Sequence, residues 1–231
     1  MPRRRIGDGP SARLLGDILL TVIRDADRPL RESKEPGTTA ADLERRLGLP
    51  AAQVRSVSGE LVRARCLRVA RAHTARLKDN GRYAQAFCLA PRSAEHGPAR
   101  GPRLFPVALI VEPDCELTEH LGASLREAGM IPVAVASFED AFELLHCLGF
   151  ELVTAHCPSE ESSQWSVCAA RLRDDARRAG CGPTVAVHAA DAAASLANVF
   201  SAQLALPQPV DRISLRTVLH NILATSASSA T

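Results

Sequence analysis

The sequence predicts an α/β protein of two domains: an amino-terminal α+β domain of three helices and a hairpin, and a carboxyl-terminal doubly wound parallel sheet of five βα units. Three observations predict it. Apolar spacing is helical up to Ala64, alternates up to Leu89, and becomes a regular succession of short apolar runs and amphipathic segments from Val107 onward. A stretch with four prolines and two glycines, Pro91–Pro106, separates the two patterns. Charge divides at the same place: residues 1–104 carry 21 Lys and Arg against 11 Asp and Glu, a balance of +10, and residues 105–231 carry 7 against 15, a balance of −8. A chain of 231 residues is long enough for two such domains.

The elements follow in order. Residues 1–10 are expected to be a disordered basic tail. Arg13–Ala26 places Leu14, Leu15, Ile18, Leu19, Val22 and Ile23 three and four apart, the spacing of an amphipathic helix. Arg28–Gly37 is a polar loop. Thr38 or Thr39 caps a short helix, Ala40–Leu47, and Gly48-Leu49-Pro50 turns the chain. A third helix runs from Pro50 or Ala51 to Ala64, with Val54, Val57 and Leu61 inward; proline is tolerated in a first turn because no amide donor is lost there. Leu67–Arg71 and Tyr83–Leu89 alternate on either side of Asp79-Asn80-Gly81, a strong turn signal. Residues 91–104 form the linker. Strands are then expected at Val107–Val111, Ile131–Val135, Leu152–His156, Thr184–His188 and Leu204–Leu206. Helices are expected at Glu116–Ala128, Phe138–Leu148, Ser162–Ala179, Ala190–Ser201 and Arg212–Leu223. The second domain thus spans 105–225, with a tail at 226–231.

Composition excludes several classes. No apolar run reaches the roughly 18–20 residues that span a bilayer, and no apolar signal core follows the basic start Met1–Arg5. The seven cysteines form no Cys-x-x-Cys pair and are odd in number, which argues for reduced thiols and a cytoplasmic protein. Cys147, Cys168 and Cys181 read as small apolar residues, and Trp165 as packing. A basic half joined to an acidic half suggests that the first faces a polyanion; codon bias explains abundant Arg but not its concentration at one end.

Two resemblances rest on particular residues. Thr39-Ala40-Ala41-Asp42-Leu43-Glu44-Arg45-Arg46-Leu47-Gly48-Leu49 resembles the opening of bacterial winged helix-turn-helix regulators. Val54 and Leu61, followed by Cys66-Leu67-Arg68-Val69, resemble the end of their recognition helix and the start of the wing. This resemblance covers 11–90 and implies duplex DNA as partner. On the third helix Gln53, Arg55, Ser56 and Arg63 lie off the inward stripe; Arg suits guanine and Gln adenine in the major groove. Arg76, Lys78 and Arg82, with His73 at the base, would place cations on a wing tip for phosphate contact. An ordinary solvated helix face and a merely soluble loop are the alternatives.

Ala108-Leu109-Ile110-Val111-Glu112-Pro113-Asp114 resembles the first strand and acidic turn of a response-regulator receiver, and Glu151-Leu152-Val153-Thr154-Ala155-His156 resembles its third strand. The resemblance covers 105–225 and implies five groups at the carboxyl ends of the strands. Two are acidic residues that help hold Mg²⁺, one is the phosphorylated aspartate, one is a Ser or Thr, and one is a Lys before a proline. Glu112 keeps the first acidic position, Pro113 falls on the second, and Asp114 follows the pair. His156 falls on the acceptor, His188 on the Ser/Thr, and Gln208 on the Lys, with Pro209 retained. A single glutamate beside two imidazoles is a poor Mg²⁺ site, and phosphoryl charge would be unpaired without the Lys.

The expectation is therefore a bacterial transcriptional regulator, not an enzyme, with no cofactor or metal and with a phosphorylation-independent pseudo-receiver used for homodimerisation or partner docking. Receivers commonly pair through a face that maps here to Ala190–Leu223; the Leu14–Ile23 stripe is a rival dimer surface. A protein–protein adaptor without DNA binding is one alternative. The other is a redox or Zn²⁺ sensor using His156, Cys157 and His188.

Overall fold

A computed structural model of the chain describes residues 9–25, 37–72, 84–90, 105–157, 163–181, 184–188, 204–207 and 217. The chain divides into two compact units, Leu14–Phe105 and Met1–Arg13 together with Pro106–Thr231. In sequence the first is inserted into the second. The expected domain start at residue 11 is revised accordingly: Ala12 is buried among residues of the carboxyl-terminal unit, which fixes the segment there. Gly9 and Pro10 belong to the same unit, whereas residues 1–8 of the expected tail, the linker 91–104 and the tail 226–231 lie outside the described residues.

The helix–hairpin unit contains most of α1 (Ala12–Arg24), then β1 (Thr38–Thr39), α2 (Ala40–Leu47), α3 (Ala51–Arg63), β2 (Leu67–Ala72) and β3 (Ala84–Leu89). Leu15, Ile18, Leu19 and Val22 of α1 are buried. Leu14 and Ile23, at the ends of the stripe read as a rival dimer surface, are half-buried. Thr39 caps α2, its hydroxyl oxygen accepting from the Asp42 N–H at 3.1 Å. Gly48 ends the helix at φ 64, a left-handed conformation that glycine adopts without Cβ strain. Pro50 sits at the cap of α3 rather than inside its first turn. Val54, Val57 and Leu61 are buried at 0–1% exposure. The sheet order is β1-β3-β2, all antiparallel, with Leu67 opposite Leu89 and Ala72 opposite Ala84. Asp25 ties three elements together: it accepts from the Thr38 hydroxyl at 3.1 Å and from Arg46 Nη1 at 3.0 Å.

The parallel-sheet unit contains β4 (Val107–Val111), α4 (Cys115–Glu127), β5 (Ile131–Val135), α5 (Phe138–Cys147), β6 (Leu152–Cys157), α6 (Ser163–Arg178), β7 (Thr184–His188) and β8 (Leu204–Pro207). All five strands are parallel, in the order β5-β4-β6-β7-β8. That is the 2-1-3-4-5 order of a doubly wound sheet, whose direction of winding reverses between its first and third strands, here β4 and β6. Every residue of β4 and β5 is buried, as continuous apolar runs covered on both faces require. Helices α4 and α5 start at side-chain caps, Asp114 accepting from the Leu117 N–H at 2.9 Å and Ser137 from the Asp140 N–H at 3.2 Å. The expected helices at 190–201 and 212–223 lie outside the described residues, apart from Thr217.

Strand β5 ends the sheet. Its Ile131 N–H donates to the Pro106 carbonyl and its Val135 carbonyl accepts from the Glu112 N–H, so both residues bond towards β4. Backbone groups alternate along a strand, so Pro132 and Ala134 direct theirs away from β4. Both residues are buried, so the residue type without a donor stands where an amide would be desolvated on the side away from β4.

Candidate functional site

In an open α/β sheet the crevice beyond the carboxyl ends of the strands, at the switch in strand order, is where ligands bind. Here it is flanked by the residues that follow β4 and the last residues of β6. Val111 pairs with Ala155, so Glu112 and His156 stand level across the switch. One strand further on, His156 pairs with Val187 and Cys157 with His188; His188 in turn pairs with Pro207. The backbone thus brings Glu112, His156, Cys157 and His188 to one edge of one sheet. The side chains of His156, Cys157 and His188, and all of Gln208, lie outside the described residues.

The turn after β4 is built from local hydrogen bonds. Glu112 is 1% exposed, and its Oε1 accepts from the Asp114 N–H at 2.9 Å. Pro113 stands exposed between them. The Asp114 carboxylate is engaged in capping α4, which stabilises the helix start and uses one of its lone pairs. Thr118 closes the turn from the helix, its hydroxyl lying 2.6 Å from the Asp114 carbonyl and 3.3 Å from the Glu112 carbonyl. Among the described residues, no three His, Cys, Asp or Glu converge as a metal-ion set.

In the helix–hairpin unit, Gln53, Arg55, Ser56 and Arg63 are all exposed. Ser56 and Arg63, seven residues apart, fall on one line along α3, and Gln53 and Arg55 flank it on opposite sides. The buried Val54, Val57 and Leu61 occupy the other face. Arg63 Nη2 is 3.9 Å from Glu60 Oε1, a weak pair on an exposed side chain. The hairpin tip, with His73, Arg76, Lys78 and Arg82, lies outside the described residues.

Sequence reasoning missed Arg13. Its Nη2 donates to the Glu112 carbonyl at 2.6 Å and lies 3.5 Å from the Thr118 hydroxyl. A signal was available: a cation in the first turn of a helix is opposed by the helix dipole, so an Arg there needs another reason.

No protein-family model and no curated protein matches the chain. Solved structures do. They are response regulators and receiver domains. A protein from Chloroflexus aurantiacus described as a response regulator is 22% identical and covers 52% of this chain and 98% of its own, with a TM-score of 0.43. A response regulator from Thermotoga maritima is 15% identical over 52% of this chain and 99% of its own, with a TM-score of 0.45. HP1043, an orphan response regulator of H. pylori, is 14% identical over 53% and 99%, with a TM-score of 0.43. Each match covers about half of this chain.

Proposed function

We propose that this chain is a DNA-binding transcriptional regulator. Its helix–hairpin unit acts as a winged helix-turn-helix on duplex DNA, and its parallel-sheet unit acts as a receiver-like module that works without phosphorylation, by self-association or docking of a partner. The observation that carries the first part is the exposed row Gln53, Arg55, Ser56 and Arg63 on α3, opposite a fully buried face and within the half of the chain that has a balance of +10. Side chains on such a row reach base edges when the helix lies in the major groove. The second part is supported by the residue types at the strand ends. Pro113 offers no oxygen ligand, Asp114 caps a helix, and His156 and His188 stand where the resemblance calls for Asp and Ser or Thr. A phosphoryl group switches a protein only by binding one of two conformations better than the other, and these groups supply no such difference.

The test is salt-dependent binding of the full chain to genomic duplex fragments. The joint substitution Arg55→Ala and Arg63→Ala weakens specific binding at least ten-fold, since each base-reading Arg is worth about 1–3 kcal/mol. Replacing Arg76, Lys78 and Arg82 together by Ala flattens the salt slope by roughly one unit for each phosphate no longer neutralised. Binding and slope that survive both sets refute DNA recognition through these elements and favour an adaptor. Incubation with acetyl phosphate and Mg²⁺ leaves the intact mass unchanged; an adduct of one phosphate overturns the phosphorylation-independent reading.

A further inference from the structure

The segment Gly9–Arg13 is remote in sequence from the unit it packs in. Ala12 is 2% exposed and belongs to one buried cluster with Ala108, Ile110, Leu121, Leu125 and Ala134. Gly122 leaves it room: a Cβ there would stand 3.2 Å from the Ala12 Cβ, a tight approach, and 3.7 Å from Pro132 Cγ. Polar contacts surround this methyl group on both sides. Ser11 donates its hydroxyl to Glu119 Oε1, and Arg126 donates to the Pro10 carbonyl. Arg13 reaches the Glu112 carbonyl and the Thr118 hydroxyl, the two groups that shape the turn after β4. Its Nη1 is buried with no hydrogen-bond partner among the described residues. A guanidinium gives up water at one nitrogen only where other contacts hold it in place.

We propose that the groove between α4 and β5 is an intramolecular docking site for residues 9–13, and that this strap holds the Glu112–Asp114 turn in a single conformation through Arg13. The occupant is the chain's own segment, fitted by one apolar knob into a glycine notch and by polar contacts from Arg126 and Glu119 on one side and Arg13 on the other. The strap sets the conformational freedom of the turn that borders the switch crevice, from a position more than ninety residues earlier in the chain. The proposal stands whether or not the protein binds DNA.

Two experiments on the full chain test it. The joint substitution Ala12→Cys and Gly122→Cys brings two Cβ atoms to within a few tenths of an ångström of the roughly 3.5–4.5 Å found across disulfides. Mild oxidation is expected to join residues 12 and 122 within one chain, read by peptide mapping and by monomeric mobility on a non-reducing gel, and neither single variant gives that link. A link between chains, or no link, overturns the proposal. Independently, Arg13→Ala is expected to speed hydrogen exchange at the Asp114, Leu117 and Thr118 amides about ten-fold, because a charge-assisted bond to the turn is removed, while the amides of α3 keep their rates. Arg13→Lys restores protection only in part, since one ammonium lacks the spread of a guanidinium fork. Unchanged exchange at the three turn amides overturns the strap's role.

Discussion

The row on α3 and the turn after β4 treat polar side chains in opposite ways. Gln53, Arg55, Ser56 and Arg63 project from a helix whose stability rests on its other face, so each can change with little cost to the fold. Glu112 is buried and bonded to the backbone of its own turn, with Thr118 and Arg13 gripping the adjacent carbonyl. The first region is a surface whose chemistry can be rewritten freely. The second is an architecture whose shape is carried by apolar strands and by bonds within the turn itself. Substitution on α3 therefore tests surface chemistry, whereas substitution in the turn tests the fold.

The comparison breaks first if the two units do not have separate cores. Leu109 is fully buried at the centre of β4. Leu109→Ala is expected to cost about 2–5 kcal/mol, counting transfer and cavity together. Hydrogen exchange should show the loss in β4, β5 and β6 while α2 and α3 keep their protection; equal losses in both units would contradict separate cores.

A smaller effect sharpens the helix–hairpin side. Asp25→Ala leaves the buried Thr38 hydroxyl without its acceptor and removes the partner of Arg46, which remains partly solvated. The expected cost is about 1–3 kcal/mol, as for a buried group left unsatisfied. Asp25→Asn, which keeps an acceptor, should fall between the wild type and Ala in urea denaturation. A neutral Asp25→Ala would mean that β1 and α2 are held by apolar packing alone.

The smallest effect has the opposite sign. The Ser58 hydroxyl is fully buried on the inward face of α3 and has no hydrogen-bond partner among the described residues. Ser58→Ala removes that desolvated group and favours the helix, so stability should rise by about 1 kcal/mol. Because Ser58 is not in the exposed row, the DNA binding proposed for α3 should be unaffected. A lower urea midpoint would show that the hydroxyl has a partner.

Much of this architecture was legible from short-range pattern. Strands β4, β5 and β7 occur where continuous apolar runs predict them, and α2 runs from its Thr cap to its Gly stop. What escaped was non-local. Thr38 and Thr39 read only as a cap, yet they also form a strand, because Phe87 and Ala86 lie beside them nearly fifty residues later. Ala12 reads as an ordinary small residue until Gly122 and Pro132 are placed around it. At the candidate site the alignment of strand ends was legible, but the level of His156 with Glu112 depends on the β4–β6 register, which no local spacing encodes. Asp114 was read as a polar follower of the acidic pair, and its role as a helix cap was missed, although an Asp before a helical run is a standard start signal.

The proline in β5 has a consequence for the protein at high concentration. A folded sheet recruits foreign strands through an unbroken row of donors and acceptors on its last strand. Ile131–Val135 is apolar enough to be such a template, but its residues are buried, and Pro132 removes one of the donors that would point away from β4. Backbone-driven growth from this flank is therefore blocked while the native fold persists. Any assembly that uses this flank must be made by side chains, and so remains open to tuning one substitution at a time.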